Sequence, residues 1–229
     1  MTNFHENIQY YLDTNGQPDD IEKLSPEIIT RMYEIFPPSF AGFLNEFGFC
    51  SFFDRGLQLC NPDDMRSILA LIFEADKDFH HKDVHVYAYS AFGDLYCWSS
   101  TLYNFKINLV DCMVFSDFLI YKQEVKATPD HIASQMLPKK RSIEFYDFND
   151  EPLFARCLEH YGKLDMGQCY GYFPALALLG GSDTPMNRIE NIKKVQAFEH
   201  FAILAQLDTF YLTTTSSDGN SFVKVRPIG

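Results

Sequence analysis

The apolar residues of this chain arrive in short segments, each cut off by a proline, a glycine or a cluster of turn-forming residues. No segment approaches the roughly 18 apolar residues that cross a bilayer as a helix. This punctuation excludes long bundles and membrane spans and leaves a fold of short helices and hairpins, the α+β class. There is no internal repeat and no low-complexity tract.

The segments are legible one by one. Ser25 and Pro26 form an N-cap and first helical position, predicting a helix through Glu34 that Pro37 and Pro38 interrupt. Phe40, Phe43, Leu44 and Phe47 then fall at i, i+3, i+4 and i+7, the stripe of a core helix stopped by Gly48. Cys50 to Phe53 and Leu57 to Cys60 read as a hairpin around Asp54-Arg55-Gly56. Asn61-Pro62-Asp63-Asp64 is the clearest helix start, a capping side chain followed by proline and two carboxylates at the positive end of the dipole, with the helix running to about Ala75. A second hairpin is expected over Val84 to Ala91 and Leu95 to Ser99, then a strand around Phe105 to Leu109.

Between Tyr121 and Asp150 the pattern loosens around Thr128-Pro129, Pro138 and the basic triplet Lys139-Lys140-Arg141, with room for one short helix. The domain boundary is expected there, giving associated modules over 1–121 and 122–229, each of helices with antiparallel strands. The second module reads as a helix from Pro152 to Gly162, a buried strand over Tyr170 to Leu178 and a longest helix over Asn187 to Leu207. A hairpin turning on Asp218-Gly219-Asn220 closes the chain.

Charge is unevenly shared. Residues 1–121 hold 18 acidic against 7 basic residues, whereas residues 122–229 hold 13 against 12, so nearly all of the net charge of −12 belongs to the first module. Such a chain repels a phosphate backbone, arguing against direct nucleic-acid binding, and attracts a basic protein. The segment from Met1 to Tyr11 lacks the basic start and apolar stretch of a secretory signal, so a cytoplasmic protein is expected. Its six cysteines form no C-x-x-C pair and read as buried, reduced thiols.

Each candidate for chemistry has a plainer reading beside it. His80, His81 and His85 with Asp83 match no metal-site spacing and read as a solvated loop before a strand. Cys169 with His200 would suit a thiolate and its base, yet each sits in an apolar run that favours packing. Gly180-Gly181-Ser182 has the look of an anion-binding turn but lacks the lysine and spacing of a phosphate loop. The carboxylate pairs Asp19-Asp20 and Asp63-Asp64 are adjacent, and adjacent helical positions do not face each other, so capping and solvation explain them better than acid-base work. The reading is of a protein without catalytic residues, metal ligands or cofactor.

Several motifs, in order, carry a resemblance. Phe36-Pro37-Pro38-Ser39-Phe40, Phe43-Leu44-Asn45-Glu46-Phe47-Gly48-Phe49, Asn61-Pro62-Asp63-Asp64 and Tyr89-Ser90-Ala91-Phe92-Gly93-Asp94-Leu95-Tyr96-Cys97-Trp98 resemble the GAD-like domain of bacterial immunity proteins. Tyr161-Gly162-Lys163-Leu164, Tyr170 to Leu178, Gly180-Gly181 and Glu199 to Ala205 resemble the C-terminal domain that accompanies it, so the likeness spans roughly residues 20–207. The architecture is similar to immunity proteins that neutralise DNase effectors of the type VI secretion system. Gln168-Cys169 departs from the acidic residue that such proteins often carry before the tyrosine, and the hairpin after Leu207 is additional.

What the resemblance implies is a cytoplasmic, non-enzymatic immunity protein that binds a toxic effector with a basic nuclease domain. Asp63, Asp64, Asp76, Asp78 and Asp83, on or just beyond the helix starting at Pro62, are the expected contact residues. A toxin other than a nuclease is the alternative partner, and a cysteine-dependent hydrolase using Cys169 and His200 the alternative class.

Overall fold

A capping side chain and a proline start the helix at Pro26 and the helical turn at Pro62 where the sequence places them. The computed structural model describes residues 4–121, 125–219 and 221–229. Helix α1 (Glu6–Asn15) and strand β1 (Asp19–Glu22) precede α2 (Pro26–Ile35), where the Ser25 side chain accepts a hydrogen bond from the Ile28 amide. Helix α3 (Pro38–Phe47) ends at Gly48, and β2 (Phe49–Phe52) and β3 (Leu57–Leu59) form the expected hairpin. Asn61 caps a 3-10 turn (Pro62–Met65) that runs into α4 (Arg66–Phe73), so the predicted single helix has a tighter first turn and ends earlier. Strands β4 (His85–Ser90), β5 (Asp94–Ser99), β6 (Tyr103–Asn108) and β7 (Met113–Phe115) follow as a meander. Short helices α5 (Asp117–Tyr121) and α6 (Pro129–Ala133) and a 3-10 turn over Lys140–Ser142 make up the loosely patterned stretch.

The second half departs from expectation in two places. Helix α7 (Phe154–Tyr161) stands as read, but β8 (Gln168–Tyr172) stops before Pro174, and the rest of the predicted strand is a turn and a 3-10 segment (Leu176–Leu179). Proline has no N–H to continue the ladder. The predicted longest helix is divided: Ile189–Asn191 is a 3-10 turn, Ile192–Gln196 is β9, paired antiparallel with β8, and only Ala197–Leu204 is α-helical, as α8. Strand β8 needs a hydrogen-bonding partner, and Ile192 to Gln196 supplies it with Lys193 and Lys194 in solvent. An apolar run does not by itself separate strand from helix. The closing hairpin is β10 (Tyr211–Thr215) and β11 (Phe222–Pro227); Asn220 of its expected turn lies outside the described residues.

The fold is α+β. One sheet has the order β1-β2-β3-β4-β5-β6-β7-β10-β11, antiparallel except that β10 joins β7 in parallel, and β8-β9 form a small separate sheet. The expected boundary at 121/122 abuts residues 122–124, outside the described residues, and the main sheet takes strands from both sides of it. Alternation along the strands sorts side chains to two faces. On one, Val86, Tyr89, Leu95, Cys97, Ile107 and Val114 pack against Ile68, Leu69, Ile72 and Phe73 of α4 and against Phe201 and Leu204 of α8. On the other, Tyr87, Tyr96 and Trp98 pack beneath α1, α3 and residues 133–143. A third cluster joins Ala91, Phe92 and Val110 to Leu153, Cys157, Tyr170 and Tyr172.

Polar groups stitch the two halves at buried positions. Gln58, fully buried on β3, donates to the Gln168 carbonyl at 2.8 Å and accepts from the Tyr89 hydroxyl at 2.8 Å and the Gly167 amide at 2.9 Å. The Tyr170 amide donates to the Ala91 carbonyl at 2.8 Å. Gly48 lets β2 start beside β1: its φ is +68°, and a Cβ there would stand 1.8 Å from the Glu22 carbonyl oxygen. Gly48→Ala is therefore expected to cost at least about 3 kcal/mol in urea unfolding, from left-handed strain plus backbone displacement.

Candidate partner-binding surface

The surface around α4 is built by capping and by one arginine. Asn61 accepts from the Asp63 amide at 3.1 Å, fixing the start of the helix, and Pro62 and Met65 turn inward while Asp63 and Asp64 turn out. Arg66 then gathers the loop after α4, donating to the carbonyls of His81 (3.2 Å), Lys82 (3.1 Å) and Val84 (2.8 Å) and contacting His85 Nδ1. Asp83 is thereby held close to the helix start. The exposed positions from the 3-10 turn to just past α4 are Asp63, Asp64, Ser67, Leu71, Glu74 and Ala75, with Leu71 44% exposed. An open cavity of about 370 Å³ beyond the helix is lined by Glu74, Asp76, His80, His81, Lys82 and Asp83.

The expected contact residues fall into three kinds. Asp64 and Asp83 are exposed and make no ion pair among the described residues. Asp63 is exposed but shared between Arg31 at 3.7 Å and Arg66 at 3.4 Å. Asp76 and Asp78 are engaged internally. Asp76 has a side chain only 1% exposed; it accepts from Arg226 at 2.5 and 2.9 Å and from the amides of Asp78 and Phe79 at 2.9 and 3.0 Å. Asp78 pairs with the same guanidinium at 2.6 Å. The sequence places Asp76 near an exposed helix end, whereas the chain's last strand folds over it. Leu71 and Glu74 share the exposed stripe, and the helical spacing from Asp64 is the signal that marks them.

Burial opposes ionisation of Asp76, but Arg226 and the two amides outweigh it and hold the carboxyl down at about 2. A folded-state value below the unfolded 3.8 means that the stabilisation is complete above about pH 4 and disappears as pH falls toward 2.

The other candidates resolve into structure. His85 is the first residue of β4 rather than part of the loop; burial, then the cations Arg66 and Arg31, push its imidazole down to about 4. No group of three His, Cys, Asp or Glu side chains gathers as a metal site among the described residues. Cys169 is fully buried in the core and burial pushes its thiol up, away from the thiolate a nucleophile requires. His200 stacks obliquely on Phe173 with ring centroids 6.0 Å apart, and burial lowers its pKa; no hydrogen bond joins it to Cys169. The Gly180-Gly181-Ser182 turn does hold an anion, an internal one: the Ser182 amide donates to Asp111 Oδ1 at 2.6 Å. Asp20 grips Arg55 through two hydrogen bonds of 2.6 and 2.8 Å, which hold its carboxyl down at about 2. No described helix is long and apolar enough to cross a membrane.

Residues 6–111 match the GAD-like domain, and residues 134–208 match the family described as T6SS immunity protein Tdi1, C-terminal. The chain is similar to the crystal structure of Atu4351 from Agrobacterium tumefaciens, at 28% identity and a TM-score of 0.83, over 98% of this chain and 97% of that one. No curated protein matches.

Asp76→Ala leaves Arg226 without its buried partner and is expected to lower unfolding free energy by about 3–5 kcal/mol at pH 7. The variant's stability should also lose its share of the decline between pH 4 and pH 2, measured by urea titration at each pH.

Proposed function

We infer that this chain, which carries a GAD-like domain followed by the C-terminal domain of the type VI secretion immunity protein Tdi1, works as an immunity protein that neutralises a cognate effector by binding it. The match over residues 134–208 carries this reading. The chain acts in the cytoplasm of the producing cell, where effector made by that cell or delivered by its kin must be kept inactive. Its work is done by surface shape and charge, without a reaction of its own.

The partner is a DNase toxin. A nuclease presents a cationic cleft to its phosphate substrate, and the first module, residues 1–121, carries an excess of acidic residues. The contact surface is the exposed side of the 3-10 turn and α4, with Asp63, Asp64, Glu74 and Asp83 around Leu71 and with Asp76 and Asp78 bracing it from behind. Long-range attraction by such a surface raises association toward about 10⁸–10⁹ M⁻¹s⁻¹ at low salt. Exposed ion pairs add only about 0–1 kcal/mol each, so tight binding needs a desolvated anchor, and Leu71 at the centre of the stripe is the apolar candidate. The second module, residues 122–229, supplies the hairpin whose Arg226 fixes this surface.

The test is co-expression and co-purification with the product of the neighbouring effector gene, followed by binding kinetics. Reversing Asp63, Asp64, Glu74 and Asp83 to lysine together is expected to slow association at least tenfold at low salt and to flatten its salt dependence, with folding intact. Unchanged kinetics would remove this surface from the interface. A rescued toxin that leaves DNA intact would retain the immunity reading and replace the nuclease by another toxin.

A further inference from the structure

The opposite side of the sheet has the reverse character. Helices α1 and α3 and residues 133–143 cover that face over the central strands, α6 reaches β6, and β7, β10 and β11 form the portion beyond. Register places Lys106, Phe115, Tyr211, Phe222 and Lys224 on this one face: Lys106 pairs with Phe115, Tyr211 with Met113, Thr213 with Lys224 and Thr215 with Phe222. The side chains interleave, with Lys106 Nζ 5.3 Å from the centre of the Phe115 ring, Lys224 Nζ 4.3 Å from that of Tyr211, and Phe115 and Phe222 at 5.2 Å. Phe222 is 60% exposed on an edge strand, although an edge is where exposed apolar residues are usually avoided.

This face runs into an open groove of about 430 Å³ between the strands and residues 135–142, where Lys139 and Arg141 stand on the rim. Both are exposed, and neither makes an ion pair among the described residues; Lys224 makes none either. The carboxylates nearby are Asp94, buried and paired with Lys106 at 3.3 Å, Asp117 on the groove wall, and Asp111 and Asp208, which act with Lys224 on Cys112. A protein of net charge −12 thus keeps a cationic, aromatic surface behind the sheet from its acidic helix.

We propose that the outer face of β7, β10 and β11 and the groove beside it form a second docking surface, for an extended acidic segment of a protein partner. Charge complementarity argues for the occupant. Carboxylates are repelled by most of the molecule and attracted here, while aromatic rings and a free strand edge suit an extended chain that alternates acidic and apolar residues. A long nucleic acid shares the affinity for lysine and aromatics but is repelled by the overall charge. The surface lies on the opposite face from α4, so an occupant there does not overlap an effector bound at α4.

The experiment is fluorescence anisotropy with the full chain and a labelled peptide of about a dozen residues alternating Glu and Val, in low and high salt. The expected result is saturable binding that salt weakens and that Lys139→Glu, Arg141→Glu and Lys224→Glu together weaken at least tenfold. These positions are exposed, so thermal unfolding of the variant should match the parent; Phe222→Ser, which leaves every charge in place, should weaken binding severalfold. The proposal is overturned if the peptide does not saturate, if the charge-reversed protein binds it equally well, or if an oligothymidylate displaces it and binds more tightly. It is also overturned if sedimentation shows the parent self-associating through this face and the variant not.

Discussion

Arg226, three residues from the end of the chain, reaches back 150 positions to the buried carboxylate of Asp76. That contact ties the acidic surface, which Asn61 and Arg66 shape, to the closing strand. Asp76 also receives the amides that turn the chain out of α4, so one carboxylate both ends the helix and anchors β11 to it. A buried ion pair is not a cheap source of stability, because two charges leave water. Its consequence here is geometric: the last strand is registered against the helix that presents Asp64, Leu71 and Glu74.

The same sheet that carries this tie separates two fields. Alternation along β4 to β7 sends Val86, Leu95, Ile107 and Val114 toward α4 and α8, and Tyr87, Tyr96, Lys106 and Phe115 the other way. Charges that stabilise the fold are turned inward and paired, as in Asp20 with Arg55, Asp147 with Arg156 and Asp76 with Arg226. Among the charges left outside, Asp64 and Asp83 on one side and Lys139 and Arg141 on the other make no ion pair among the described residues, and their signs differ between the two sides. Binding of a basic effector on one side therefore need not compete with an acidic segment on the other.

Local signals carried much of the fold. Ser25-Pro26, Asn61-Pro62 and Gly48 act through their own backbone and cap geometry, and the structure places helix starts and the stop where they stand. The closing hairpin and the β4-β5 hairpin follow from alternation and turn residues. What a single segment does not encode is its partner. Residues 192–196 become a strand because β8 lies beside them, and Tyr170 to Leu178 divides because Pro174 ends the ladder. The site shows the same limit: Asp63, Asp64 and Asp83 are exposed as their polar context suggests, while Asp76 is claimed by an arginine 150 residues away. Gln58, which ties β3 to the 167–168 turn, is an ordinary glutamine in sequence and a fully buried junction in the fold.

The central claim is that an effector is held by the outer side of the Pro62–Phe73 segment and the loop after it. Hydrogen exchange of the protein alone and in complex with its co-encoded effector tests this most directly. The account requires the largest gain in amide protection within residues 62–84, with β6, β7 and β11 unchanged. Protection concentrated on those three strands, or an effector complex that leaves residues 62–84 exchanging at their free rate, would contradict it.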